Sequence, residues 1–301
     1  MKRRNFLKIT LPLAFAGNAS AAPVAEPELS FGVIADPQYA DADPKWARFY
    51  RNSLAKLGEA VADLNTHPLE FTATLGDLID RDFASFASVM PIYAKLKSPH
   101  FPICGNHDFE VVDADKGKVL GAMGLEKPYY SETRKSWRFL FLDGTDIGVW
   151  RQPADDPKTA EAKGMMEKFA AAGLPQAQNY NAGIGKGQME WIAAELEAAQ
   201  TAGQRVILFC HYPVIPVGNP HNLWNAEELV ALIGKHKHVA AYMNGHNHAG
   251  NYGTHGGCHY VNFKGMVETE KETAYGVVRC FSDRLEIEGF GLEPGRKLGE
   301  L

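Results

Sequence analysis

Five short polar motifs, each set directly after a brief apolar run, constrain this chain more than any other feature. They are Asp36-Pro-Gln38, Gly76-Asp77-Leu-Ile-Asp80, Gly105-Asn106-His107-Asp108, Cys210-His211 and Gly245-His246-Asn247-His248. The runs before them, such as Phe31-Gly-Val-Ile-Ala35 and Arg205-Val-Ile-Leu-Phe-Cys210, read as buried strands. Every motif then emerges at a strand end, which is where open α/β sheets place their sites.

The segments between the motifs alternate in period. Phe49, Leu54, Leu57, Val61 and Leu64 share one helical stripe and predict a crossover helix over 46–65. Further helices are predicted over 83–96, 188–200 and 226–236, and strands over 71–75, 101–104, 129–131, 138–142, 205–210 and 239–244, with a β-rich stretch over 260–290. Repetition of strand, motif and helix predicts a layered α/β sandwich with helices on both outer faces. Residues 149–184 are the least regular, with a weak helix near 158–172. An insertion over the site and a plain surface loop both fit them.

The first residues carry an address. Arg3 and Arg4 open the twin-arginine pattern R-R-x-F-L-K, with Lys2 where Ser or Thr is usual. A modest apolar stretch over 9–17 and the A-x-A site Ala19-Ser-Ala21 follow, so residues 1–21 read as an export signal and Ala22 as the mature start. The apolar stretch falls short of the roughly twenty residues needed to span a bilayer, so no stable membrane anchor is expected. A linker over 22–28, a domain over 29–292 and a tail over 293–301 complete the expected organisation, in a periplasmic or secreted protein that meets the twin-arginine machinery. A net charge of -5 and a pI near 6.1 leave no broad basic surface, so no nucleic-acid partner is expected.

The motif residues are those that two divalent metals need. Asp77 is the obvious bridging carboxylate, and Asp36, Gln38, Asn106, His211, His246 and His248 are competent oxygen or imidazole donors. Two metals roughly 3.5–4 Å apart can activate a water, bind phosphoryl oxygens and stabilise an in-line displacement. His107 is left as the general acid, and Asp80 is placed to hold its ring.

In order and type, these motifs resemble the calcineurin-like metallophosphoesterase superfamily, whose pattern is D-x-H, G-D-x-x-D, G-N-H-[DE], H and G-H-x-H. One position departs, Gln38 standing for the first His. That departure is similar to the manganese-dependent ADP-ribose/CDP-alcohol diphosphatase branch, as are the segments Ile34-Ala-Asp-Pro-Gln-Tyr-Ala-Asp41, Arg48-Phe-Tyr-Arg-Asn-Ser-Leu54, Gly183-Ile-Gly-Lys-Gly-Gln-Met-Glu-Trp191 and Gly265-Met-Val-Glu-Thr269. The resemblance runs from about Phe31 to Thr269 and implies an α/β/β/α sandwich. It implies one metal on Asp36, Gln38, Asp77 and His248 and a second on Asp77, Asn106, His211 and His246, with His107 protonating the leaving oxygen. An amide oxygen is a harder donor than imidazole, which favours Mn²⁺ over Fe or Zn. The implied substrate is a small phosphorylated or nucleotide-linked metabolite. A phosphomonoesterase or phosphodiesterase of the same superfamily, and an exported binding protein that keeps the fold without catalysis, are the rivals.

Other features weigh less. Tyr39 and Trp46 could stack on a nucleobase or belong to the core. His67, His100, His236 and His238 lack motif context and read as surface residues. His221, His255 and His259 fall in predicted loops near the ligand segments, where His221 is a candidate substrate contact. Gly183-Ile-Gly-Lys-Gly187 lacks the GK[ST] ending of a phosphate loop and reads as the entry to the next helix. The spacing of Cys104, Cys210, Cys258 and Cys280 favours core packing over a disulfide framework and leaves a Cys104–Cys210 bridge open.

Overall fold

The computed structural model describes residues 26–300, so the expected export signal over 1–21 and most of the expected linker lie outside the described residues. Twelve strands are seen there: β1 (Leu29–Ile34), β2 (Thr72–Thr74), β3 (His100–Pro102), β4 (Tyr130–Arg134), β5 (Trp137–Phe141), β6 (Arg205–Phe209), β7 (Val239–Asn244), β8 (Asn251–His255), β9 (Cys258–Asn262), β10 (Ala274–Cys280), β11 (Leu285–Gly291) and β12 (Arg296–Leu298). They form two six-stranded mixed sheets, ordered β12-β11-β10-β1-β2-β3 and β4-β5-β6-β7-β9-β8. In the first, β1, β2 and β3 run parallel; in the second, β5, β6, β7 and β9 do.

The apolar runs of the sequence are explained by burial on both faces of each strand. Phe31 and Phe71 of the first sheet meet Phe139 and Phe209 of the second, with ring centroids 4.8–6.4 Å apart. This aromatic layer is the centre of the molecule. The outer face of the first sheet is covered by α1 (Ser53–Leu64) and α2 (Phe86–Tyr93) through Leu57, Val61, Leu64, Val89 and Tyr93. Two short helices, α3 (Asp113–Lys116) and α4 (Val119–Ala122), follow, and then α5 (Pro157–Ala171). On the outer face of the second sheet lie α6 (Lys186–Thr201) and α7 (Ala226–Ile233), through Ile192, Leu196, Leu229 and Ile233. The architecture is the expected α/β/β/α sandwich.

Several expectations change in detail. The helix predicted over 46–65 starts only at Ser53, after a 3-10 turn at Tyr50–Asn52. Residues before it leave the helical path because Arg48 pairs with Glu268, and Phe49 N–H donates to Val267 O at 2.9 Å. The tail read at 293–301 holds β12, an antiparallel edge strand on β11, and a buried Glu293. The four cysteines are free and buried. Cys104 and Cys210 belong to the two different outer cores, so they form no bridge.

Two histidines expected at the surface are not there. His236 is buried, and His100 is largely buried, stacking on Tyr93 at 4.1 Å with Nε2 2.9 Å from Thr74 Oγ1. Nor do His255 and His259 lie in loops: they face each other's strands in the β8–β9 hairpin, and His259 accepts its place beside Tyr252. Exposed β8 carries no apolar alternation, which is why the sequence pattern misses it.

Candidate metal centre

Parallel strands β1, β2, β3, β6 and β7 each deliver a motif from the C-terminal end. Asp36 and Gln38 follow β1, Asp77 and Asp80 follow β2, and Asn106 and His107 follow β3. From the other sheet, His211 follows β6, and His246 and His248 follow β7. Asp36, Gln38, Asp77 and His246 take positive φ values of 48°, 43°, 53° and 65°. Non-glycine residues pay for that conformation, and its concentration at four convergent side chains marks a functional site. Two glycines make the convergence possible by close approach. A Cβ on Gly105 would lie 2.1 Å from Asp77 Oδ1, and one on Gly245 would lie 2.4 Å from Asp36 Oδ2.

The donor atoms gather in two groups that share Asp77. In one, His211 Nε2 lies 3.2 Å from His246 Nδ1, 3.2 Å from Asn106 Oδ1 and 3.3 Å from Asp77 Oδ2. In the other, Gln38 Nε2 lies 2.8 Å from Asp77 Oδ2 and 3.4 Å from His248 Nε2, which is 3.6 Å from Asp36 Oδ1. The sequence-predicted ligands Asp36, Gln38, Asp77, Asn106, His211, His246 and His248 are thus brought into one pocket, the first five buried and the last two half-buried.

The tautomers show what that pocket fits. His211 Nδ1 lies 2.7 Å from Leu75 O, an atom that can only accept, so Nδ1 carries the proton and Nε2 is left with a lone pair. His246 Nε2 donates to Asn181 Oδ1 at 3.0 Å, and the orientation of that amide is fixed because its Nδ2 donates to Gln176 O and Pro220 O. His248 Nδ1 lies 2.7 Å from the Glu268 carboxylate. As neutral rings each would turn a lone pair inward, and those of His211 and His246 would face one another. Gln38 Oε1 is buried without any hydrogen-bond partner. Around His211 the convergent acceptors, Asn106 Oδ1 and Asp77 Oδ2 among them, cost free energy unless a proton or a cation lies between them, and this N/O donor set suits a divalent metal.

Without a metal, a proton on His211 meets the same need. Burial opposes protonation of His211, yet Asp77 and Asp36 push it up to about 9. His246 is held well below the usual imidazole range by burial and by His211 beside it. Burial works against ionisation of Asp77, but His211 and His107 hold its carboxyl well below the usual range.

His107 stands apart from the donors, with its backbone N–H on Asp77 Oδ1 at 2.9 Å. Its Nδ1 lies 3.2 Å from Asp80 and 3.4 Å from Glu110. Burial opposes its charge, and Asp77, Asp80 and Glu110 overcome this and hold it well above the ordinary value. Asp80, Glu110 and His107 also form a ligand-like triad, as do Asp77, His211 and His246. Arg81 sits 3.1 Å from Asp80 in the former group and disfavours a second cation there.

Four contributing residues had no assigned role in the sequence reading. Asp108 accepts from the backbone N–H groups of Asp77, Leu78, Ile79 and Gly105 at 2.8–3.2 Å, locking two motifs together. Glu268 orients His248, Asn181 orients His246, and Arg48 places Nη1 3.4 Å from His107 Nε2. Asp108, Glu268 and Arg48 fall inside recognisable motif segments, but Asn181 carries no local signal. It brings the end of the irregular segment 149–184 to the site, together with Tyr180, whose ring lies 5.9 Å from His246.

The three substrate candidates separate. His221 lies in the pocket, its ring 5.6 Å from His246. Tyr39 packs on the core under α1 and α2. Trp46 is 81% exposed, with Lys45 Nζ over its ring at 4.6 Å, and so is not a core residue.

Comparison with known families agrees with this geometry. Residues 29–250 match the calcineurin-like phosphoesterase family. This chain belongs to that family. It is therefore a metallophosphoesterase, a hydrolase acting on phosphoester bonds. It is 29% identical to a mouse protein named manganese-dependent ADP-ribose/CDP-alcohol diphosphatase, over 92% of this chain and 95% of the relative. A rice protein of the same name is 30% identical over 88% of this chain and 92% of its own length. In fold, the chain is similar to a dimetal phosphatase from Danio rerio, with a TM-score of 0.83 at 23% identity, covering 92% of this chain and 100% of that one.

Proposed function

We propose that this metallophosphoesterase cleaves the diphosphate bond of small nucleotide-linked metabolites of the ADP-ribose or CDP-alcohol type. The pocket in which Asp77 is common to two donor groups, with His107 held beside it by Asp80, carries the hydrolytic part of the reading. The substrate class is supported by the names of the mouse and rice relatives, which match this chain over nearly their whole length.

Asp36, Gln38, Asp77 and His248 would hold one divalent cation, and Asp77, Asn106, His211 and His246 the other. Bound there, such a pair supplies an activated water and neutralises phosphoryl charge. Mn²⁺ is the ion we assign, because oxygen donors from Asp36, Gln38, Asp77 and Asn106 outweigh imidazole. Glu268, Asn181 and Leu75 O keep the three imidazoles in the tautomers that ligation needs. His107 delivers the proton to the leaving oxygen from Nε2, since Nδ1 is taken by Asp80.

The twin-arginine signal at residues 1–21 supports export to the periplasm in a folded state. Among the described residues no helix is long and apolar enough to cross a membrane. Deletion of Arg3 and Arg4 should abolish export; unchanged export would remove this part of the proposal.

A substrate panel with Mn²⁺-loaded protein tests the activity. ADP-ribose and CDP-choline should be hydrolysed with the highest kcat/KM. Preference for a cyclic nucleotide or a simple aryl phosphate would instead make the protein a phosphodiesterase or phosphomonoesterase of the same family.

A further inference from the structure

We propose that Arg48 makes this site select a phosphate as the leaving group, by binding the departing phosphate beside His107. The inference deepens the diphosphatase reading and rests on it.

The backbone of Arg48 is fixed from two sides. It bridges to Glu268, and its N–H donates to Lys45 O at 3.0 Å. The guanidinium then reaches His107, with Nη1 3.4 Å from Nε2, and this is its one side-chain hydrogen-bond contact among the described residues. Neighbouring arginines are satisfied differently: Arg51 pairs with Asp41 and Asp43, and Arg81 with Asp80. Arg48 has no such ion pair among the described residues, because Glu268 gives its carboxylate to His248 at 2.7 Å. The half-buried guanidinium can only donate, so once His107 Nε2 holds the proton it is to deliver, two donors face each other. An anion lying against both accepts from each through two charge-assisted hydrogen bonds.

The reaction supplies that anion. The oxygen of a water bonds to one phosphorus of the P–O–P unit, its proton passing to solvent, and the bond from that phosphorus to the bridging oxygen breaks. The electron pair stays on the bridging oxygen, which takes the proton from His107 Nε2 and remains on the second phosphate. In a diphosphate the leaving group thus carries further charged oxygens next to the protonated atom, within the reach of a guanidinium fork. A nitrophenolate leaving group carries none. Arg48 therefore discriminates by what departs, whereas the metal donors act on the phosphorus attacked.

The test compares ADP-ribose with the p-nitrophenyl ester of thymidine 5′-monophosphate, which presents a similar attacked phosphorus and an aryl leaving group. In Arg48→Gln, kcat/KM for ADP-ribose should fall roughly 100-fold, as for loss of one preorganised donor, and that for the ester by less than about 3-fold. Arg48→Lys keeps the charge without the fork and should show an intermediate loss on ADP-ribose alone. Metal content and thermal midpoint of both variants establish that the site is intact; if Arg48→Gln fails there, Arg48→Lys decides. Parallel losses on both substrates, or no loss on either, would overturn the role of Arg48. A wild-type protein that cleaves the ester and not ADP-ribose would remove the diphosphatase reading, and this inference with it.

Discussion

Replacing Asp108 with Asn changes one atom and should unfasten two motifs. Asp108 Oδ1 accepts from Leu78 N–H at 2.8 Å and Ile79 N–H at 3.2 Å, while Oδ2 accepts from Asp77 N–H at 3.0 Å and Gly105 N–H at 2.9 Å. All four donors are buried. An Asn side chain of the same shape keeps one accepting oxygen and opposes the other two N–H groups with an NH₂, whichever way it is turned. Each buried N–H left without an acceptor costs about 1–3 kcal/mol, so Asp108→Asn should destabilise the protein by about 2–6 kcal/mol. For a domain of this size that corresponds to a midpoint lowered by roughly 5–20 °C.

Thermal unfolding of metal-free protein measures this loss directly, because the four hydrogen bonds do not depend on a bound ion. Metal titration should show weaker binding in the same variant, since Asp77 loses its backbone anchor. Asp283→Asn, at a position 66% exposed, serves as the control and should stay within about 0.5 kcal/mol of the parent. An Asp108→Asn midpoint within about 1 °C of the parent would refute the reasoning, for it would mean that the four N–H groups find other acceptors.

Three further perturbations probe other parts of the structure. Gly105→Ala drives a Cβ to 2.1 Å from Asp77 Oδ1, so metal content should fall and activity drop roughly 100-fold as the shared carboxylate is displaced; retained metal and activity would show that the turn yields. Gln38→His replaces an oxygen donor with imidazole and should shift metal content toward zinc or iron when the ions compete, an unchanged ratio counting against the hardness argument. His100 concerns stability. Burial lowers it from 6.5 to about 3, so its neutral form is the folded one, and the stability it contributes is present above pH 6.5 and lost as the pH falls toward 3. The slope on that limb is at most ~1.4 kcal/mol per pH unit for one proton, and His100→Gln should flatten it in acid titrations followed by unfolding.

What the sequence by itself determined was the set of ingredients and their order along the chain. The strands β1, β2, β6 and β7 are legible as apolar runs because both faces of each are buried, and the motifs at their ends are legible because acids, amides and histidines there have no packing role. Where local preference and tertiary contact disagree, the sequence misleads. Apolar spacing carries a predicted helix back to Trp46, but the chain there bonds instead to Glu268 and Val267, more than two hundred residues away. Likewise His100 has no motif neighbours and yet is held between Tyr93 and Thr74 by strand pairing of β2 with β3.

The tertiary structure decided which nitrogen of each imidazole faces inward. Leu75 O, Asn181 and Glu268 each take one nitrogen of an imidazole on another part of the chain, and no periodicity encodes such pairings. It also decided the position of Arg48 against His107, which depends on a bridge between two loops rather than on spacing. Composition and pattern act over a few residues, whereas proton placement and charge pairing depend on distances of about 3 Å between segments that only the packed sheets bring together.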